Sequence, residues 1–152
     1  MDEYYKNKLE ESNLFQDHWA KQFLLQRGIP LQFFCSKKNQ IHGECIQGYE
    51  LKYDSLFRKT KRLYIETHEK QNMATQWVES GILKVDNSIY LVIGDYELVF
   101  IFSKQQLIEE YKKVYWNSIE KNTSKGFVID MYENGTINER FKHLVLDKIK
   151  SM

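Results

Sequence analysis

Between Gly48 and Lys70 the chain reads GYELKYDSLFRKTKRLYIETHEK, and Glu50, Lys52, Asp54, Glu66, His68 and Lys70 within it are of the types that bind cations, move protons or stabilise anions. Their spacing is two residues within each of two strand-like runs. Side chains alternate faces along a strand, so Glu50, Lys52 and Asp54 share one face opposite Tyr49, Leu51 and Tyr53. In the second run Tyr64, Glu66 and His68 oppose Leu63, Ile65 and Thr67, with Lys70 in phase if the strand continues. Lys59, Lys61 and Arg62 supply a polar, basic connection. Paired as an antiparallel hairpin, the runs bring Asp54 and Glu66 together at one end of a sheet. Two carboxylates held close repel, and a hard divalent cation with oxygen ligands relieves that repulsion. The competing account makes these residues solvent-facing partners in cross-strand ion pairs. Against it, Asp is depleted in strands, and Glu66 lies in LYIE, a run suited to burial, where a carboxylate calls for a partner.

This pattern resembles the PD-(D/E)XK nuclease superfamily, in which an Asp ending one strand and a Glu inside the next bind a divalent metal and a following Lys positions or deprotonates water. Asp54 and Glu66 match the two acids. The Lys ordinarily stands two residues after the Glu; here that residue is His68, with Lys70 two further on. The resemblance leaves the third role to Lys70, to His68, or to Lys52 from the partner strand. It implies Mg2+ or Mn2+ held by Asp54 and Glu66, with the Thr67 carbonyl as a further oxygen ligand and an acid from the leading helix, Asp17 ahead of Glu11. The stretch TQWVESGI, followed by a β-prone run with Asp86, is similar to phage and restriction-type relatives, and implies that Trp77, Ser80 and Gly81 shape the rim of the site. The function implied is metal-dependent hydrolysis of phosphodiester bonds in nucleic acid, DNA favoured, by an endonuclease able to act as a homodimer. The alternative is the same fold with an impaired site, binding nucleic acid or a protein partner, a reading that Tyr49, Tyr53, Phe57 and Arg58 serve if they stack bases.

Composition narrows the classes. At 152 residues the chain fits one nuclease-like domain, residues 1–152, with room for a sizeable core. Its 14% aromatic content argues for a packed interior, and a net charge of +1 gives no global positive field, so nucleic-acid contact must use a local patch. Candidate patches are Lys37 with Lys38, Arg58 to Arg62, Lys112 with Lys113, and Lys121 to Lys125. The acidic, polar start carries no secretory signal and no apolar stretch is long enough to span a bilayer, so a cytoplasmic protein with no membrane partner is expected. Cys35 and Cys45 read as free thiols, and with His42 they fit no familiar zinc spacing. No glycine-rich phosphate loop or nucleophile elbow occurs. The Lys- and Asn-rich, Pro-poor composition suits a bacterial or phage source.

The elements that must position these residues form an α+β pattern, a restriction endonuclease-like core with a mixed β-sheet flanked by helices. Residues 2–27 lack Pro and Gly and carry Leu14, Trp19 and Phe23 at helical spacing, with Gly28 as the stop. Leu31 to Cys35 reads as a short strand. After the two motif strands, a turn at Ser80 and Gly81 leads into a β-prone run through Ile93, and Gly94-Asp95 turns the chain into Tyr96 to Phe102. Ser103 with Gln106 is a helix start, with the helix running to about Tyr115. Phe127 to Tyr132 and Thr136 to Phe141 flank Asn134-Gly135 as a hairpin. The C-terminal FKHLVLDKIKSM reads as a short helix.

Overall fold

The computed structural model describes residues 3–33, 43–73 and 75–152. Helix α1 (Glu3–Arg27) ends where Gly28 takes φ +68° and returns its N–H to Leu24 O at 3.1 Å. Strand β1 (Tyr49–Tyr53), the one-turn helix α2 (Phe57–Thr60) and β2 (Arg62–Glu69) follow. Next come β3 (Val78–Glu79), a 3-10 turn at Gly81–Leu83, β4 (Tyr90–Gly94), β5 (Leu98–Ser103) and α3 (Lys104–Val114). The chain closes with β6 (Ile119–Lys121), β7 (Ser124–Asp130), β8 (Tyr132–Glu133), β9 (Thr136–Ile137), α4 (Glu139–Lys142) and β10 (Val145–Lys150).

The architecture is α+β with a mixed sheet flanked by helices. That sheet has the order β1-β4-β5-β10, with β1 parallel to β4 and the other pairs antiparallel. A second, antiparallel sheet has the order β3-β2-β7-β6. Alternation along β4 explains the layering. Leu91 and Ile93 point into a core shared with Leu63 and Ile65 of β2 and with Phe127 and Ile129 of β7. Val92 points the other way, into a core with Phe15, Trp19 and Phe23 of α1. The mixed sheet is therefore covered by α1 on one face and by the second sheet on the other, and β4 reads as a continuous apolar run because both of its faces are buried.

Three sequence expectations change. The two motif runs do not form a hairpin: β1 pairs with β4, with Tyr49 opposite Tyr90, while β2 pairs with β7 in the other sheet. A parallel pair needs a long crossover, and the connection from β1 to β4 is the segment that carries β2 into the second layer. The C-terminal segment is strand β10, not a helix. Its β-branched Val145 and Ile149 and the exposed Leu146, Lys148 and Lys150 follow a period of two, and β5 would otherwise present an open edge. The expected hairpin around Asn134-Gly135 shrinks to β8 and β9, two residues each, because Phe127 to Asp130 is taken up by pairing with β2. The helix after Ser103 forms as expected, Ser103 Oγ accepting from the Gln106 N–H at 3.4 Å. Of the expected strand at Leu31 to Cys35, Phe33 makes a single bridge to Cys45, and Cys35 lies outside the described residues with His42, Lys37 and Lys38. No described helix is long and apolar enough to cross a membrane.

Candidate active site

Although β1 and β2 belong to different sheets, their polar faces open into one cleft of about 340 Å3, lined by Glu50, Lys52 and Asp54 from the first and by Tyr64 and Glu66 from the second. Asp54 holds the two strands in this relation. It follows β1 directly, and its carboxylate accepts the Tyr64 N–H at 3.0 Å and the Leu56 N–H at 3.1 Å. One side chain thus tethers the end of β1 to the start of β2 and closes its own turn. Each oxygen still has lone pairs to offer.

Glu66 is fixed just as firmly. Ser124 Oγ donates to Oε1 at 2.8 Å and Ser80 Oγ to Oε2 at 3.1 Å, and the Tyr64 hydroxyl lies 2.9 Å from Ser124 Oγ. Gly81 makes this approach possible. It has φ +54°, and a Cβ there would lie 2.0 Å from the Glu66 carbonyl oxygen, so only glycine brings the Ser80 loop down onto β2. Of the expected rim residues, Ser80 binds the Glu66 carboxylate and Gly81 lines the cleft, whereas Trp77 lines neither this cleft nor the one adjoining it and lies under the Lys70 ammonium, which is 4.4 Å from its ring centroid.

The other candidates separate. A bulge in the β2–β7 ladder between Glu66 and His68 leaves Thr67 without a register partner and re-aims the end of β2. His68 hydrogen-bonds Thr67 Oγ1 at 2.9 Å, packs its ring 6.3 Å from Tyr111 and lines no cleft beside Glu66. Burial, then Lys125, hold its imidazole below the usual value, with Glu79 opposing. Lys70 lines an adjoining cleft of about 460 Å3 together with Glu66, Glu69, Glu11 and Lys52. Lys52 lines both clefts. The Thr67 carbonyl accepts the Ser80 N–H at 2.8 Å, and Asp17 is exposed; neither residue lines either of these two clefts, whereas Glu11 lines the second.

Behind the cleft floor lies a group that the sequence did not announce. Glu44, Glu50 and Asp86 place carboxylate oxygens within 4.8 Å of one another, a cluster able to chelate a divalent cation. Glu44 is brought in by a bridge between its backbone and that of Glu50. Two lysines share the space: Lys104 Nζ lies 3.2 Å from Asp86 and 3.7 Å from Glu50, and Lys84 Nζ lies 3.3 Å from Glu44 and 3.7 Å from Asp86. Burial raises the Glu44 carboxyl, and its hydrogen bond to Asp86 adds to the rise, with Lys84 opposing. Burial also pushes Asp86 up, but the bond from Glu44, the Ser88 N–H and Lys104 together bring it below its ordinary value. Two ammonium groups among three carboxyls already offset much of the cluster's negative charge. The readable signal was Lys104 as the first residue of α3, where a cation opposes the helix dipole and so needs another reason to be present.

Both arginines of the Arg58 to Arg62 segment expected to meet nucleic acid are committed elsewhere, while Lys59 and Lys61 are exposed. Arg58 pairs with Asp95 at 3.0 Å and Glu97 at 2.6 Å, and Arg62 with Asp130 at 2.7 Å. Phe57 is core, Tyr49 packs between Phe23 and Tyr90, and Tyr53 stacks on Phe15 while lining the clefts. Lys121 does reach the site, its ammonium 4.1 Å from the Tyr64 ring centroid. The buried acidic cluster and the mixed α+β core are consistent with a PD-(D/E)XK-like fold. Comparison of the chain with family models, curated proteins and solved structures gives no match.

Proposed function

We propose that the chain is a divalent-metal-dependent nuclease that hydrolyses phosphodiester bonds, DNA favoured, at the cleft between β1 and β2. The observation that carries this reading is the convergence of Asp54 and Glu66, from two different sheets, on one cleft that also holds Lys52 and Lys121. Both carboxylates are oriented by hydrogen bonds that leave lone pairs unused, a donor set that suits Mg2+ or Mn2+. A divalent ion bound there polarises the phosphate and makes water a stronger nucleophile. Asp54 and Glu66 hold that ion and Glu66 stays aligned through Ser80 and Ser124. Lys52 stabilises the negative charge that develops on the phosphate, the part that the residue two positions after Glu66 does not fill here.

The displacement of His68 from the cleft favours one second reading, a module of the same fold that binds nucleic acid without cutting it. Cleavage of labelled single- and double-stranded DNA and RNA with Mg2+, Mn2+ or EDTA separates the two. Metal-dependent cutting that disappears in both Asp54→Ala and Glu66→Ala is the expected result. Binding with no cutting of any substrate replaces the nuclease with the binding module.

A further inference from the structure

The two clefts share Lys8, Lys52, Tyr53 and Glu66 in their linings, so they adjoin, two halves of one groove along the surface. Its halves, about 340 and 460 Å3, are in the size range of pockets that accept small-molecule-sized groups. Two walls bound the groove. One is the first half of α1: no described side chain from Glu3 to Leu14 is buried, and burial begins at Phe15, so about three turns extend past the core. Tyr4, Lys8, Glu11 and Ser12 of that extension line the groove, a spacing that places them on one side of the helix. The opposite wall is the β6–β7 hairpin, with Lys121, Thr123 and Ser124. Asp54 and Glu66 lie between the walls.

The charges and rings are those of a strand-binding track. Lys8, Lys52, Lys70 and Lys121 stand against Glu11, Glu50, Asp54, Glu66 and Glu69, so the groove has no positive excess of its own and gains one only when a divalent cation is added. Lys8 of α1 and Lys121 of β6 line the first cleft together, and each ammonium lies against a tyrosine ring, Lys8 against Tyr4 and Lys121 against Tyr64 of β2. Such pairs suit a polymer with an anionic backbone and exposed base faces.

We propose that the groove binds a single unpaired nucleic-acid strand between the N-terminal half of α1 and the β6–β7 hairpin, with Lys8 and Lys121 on its phosphates. The inference rests on the nuclease reading for its chemistry and adds the form of the substrate. A duplex carries its second strand with it, and both walls would have to clear that strand before a phosphate reached Asp54 and Glu66. A flexible single strand meets no such obstacle.

Fluorescence anisotropy with Ca2+ tests this, using labelled thymidine and uridine oligonucleotides as single strands and a blunt DNA duplex of equal length. The single strands are expected to bind about tenfold or more tighter than the duplex, a gap of about 1.4 kcal/mol. Lys8→Ala and Lys121→Ala, both at exposed positions, are each expected to weaken single-strand binding and to reduce the salt slope by about 0.7. The deoxy and ribo arms report which sugar is preferred. Equal or tighter duplex binding, or unchanged affinity in both lysine variants, overturns the proposal. Cleavage of duplex alone refutes the groove assignment and leaves the nuclease intact, whereas lysine-dependent single-strand binding with no cleavage does the reverse.

Discussion

Two residues at equivalent offsets from the acids meet different fates. Lys52, two positions before Asp54, lines the cleft, and His68, two positions after Glu66, is carried away by the Thr67 bulge to face Tyr111. Lys52→Met is therefore expected to lower single-turnover cleavage by about 10² to 10³, while His68→Gln leaves turnover near that of the parent; the opposite ranking would return the role to position 68. Glu50 gives a second prediction, in stability. Burial raises its carboxyl above the ordinary range, against Lys52 and Lys104, which lower it. The folded chain thus keeps a proton that the unfolded chain releases at about pH 4.3. Stability must fall as pH rises from there through the raised folded value, because the native state binds more protons across that window. Glu50→Gln mimics the protonated form and removes this loss. Thermal melts across pH should find the variant more stable at neutral pH and converging with the parent under acid. A variant less stable at neutral pH would mean that the ion pair with Lys104 outweighs burial.

At the scale of elements, α3 is joined to the site by its first residue. Lys104 is 5% exposed and stands between Asp86 and Glu50, so its ammonium compensates two buried carboxylates at once. Breaking a buried pair from one side leaves uncompensated charge, and Lys104→Met is expected to cost about 3–5 kcal/mol in urea denaturation. A cost below about 1 kcal/mol would mean that Lys84 or water takes over. That contact also marks what the sequence could reveal. The shared face of Glu50, Lys52 and Asp54 was legible because a period of two is local, and so was the helix start at Ser103. The partner of each strand was not, since β1 and β4 meet only after the chain has built a second layer between them. The bulge at Thr67 was hidden for the same reason: it is defined against β7, more than fifty residues on. β10 misled because alternate charged residues in KIK suit an exposed helix as well as an outer strand whose inward residue is Ile149.

For the whole molecule, the consequence of placing Asp54 and Glu66 in different sheets is mechanical. Asp54 directly follows β1 of the mixed sheet, and Glu66 lies within β2 of the antiparallel one. A cation held by both would cross-link the layers that enclose the larger core, where Leu63 and Ile65 meet Leu91 and Ile93. Binding to the folded state alone stabilises by mass action, about 2.7 kcal/mol at a hundredfold excess over Kd. For a chain of this size that should move the melting midpoint upward by several degrees. Scanning calorimetry with increasing Mn2+ is expected to show such a rise in the parent, and to show none in Asp54→Asn or Glu66→Gln, since each leaves only one layer holding the ion. If Glu44→Gln and Asp86→Asn abolish the rise while those two variants keep it, the ion sits in the buried cluster behind the cleft, and the lysines there must give way to admit it. The lysines make that outcome costly: Lys84 and Lys104 already offset much of the cluster's charge, and a divalent ion would add two positive charges to a site holding two. In the open cleft the same ion meets carboxylates whose hydrogen bonds fix their direction and leave their charge available.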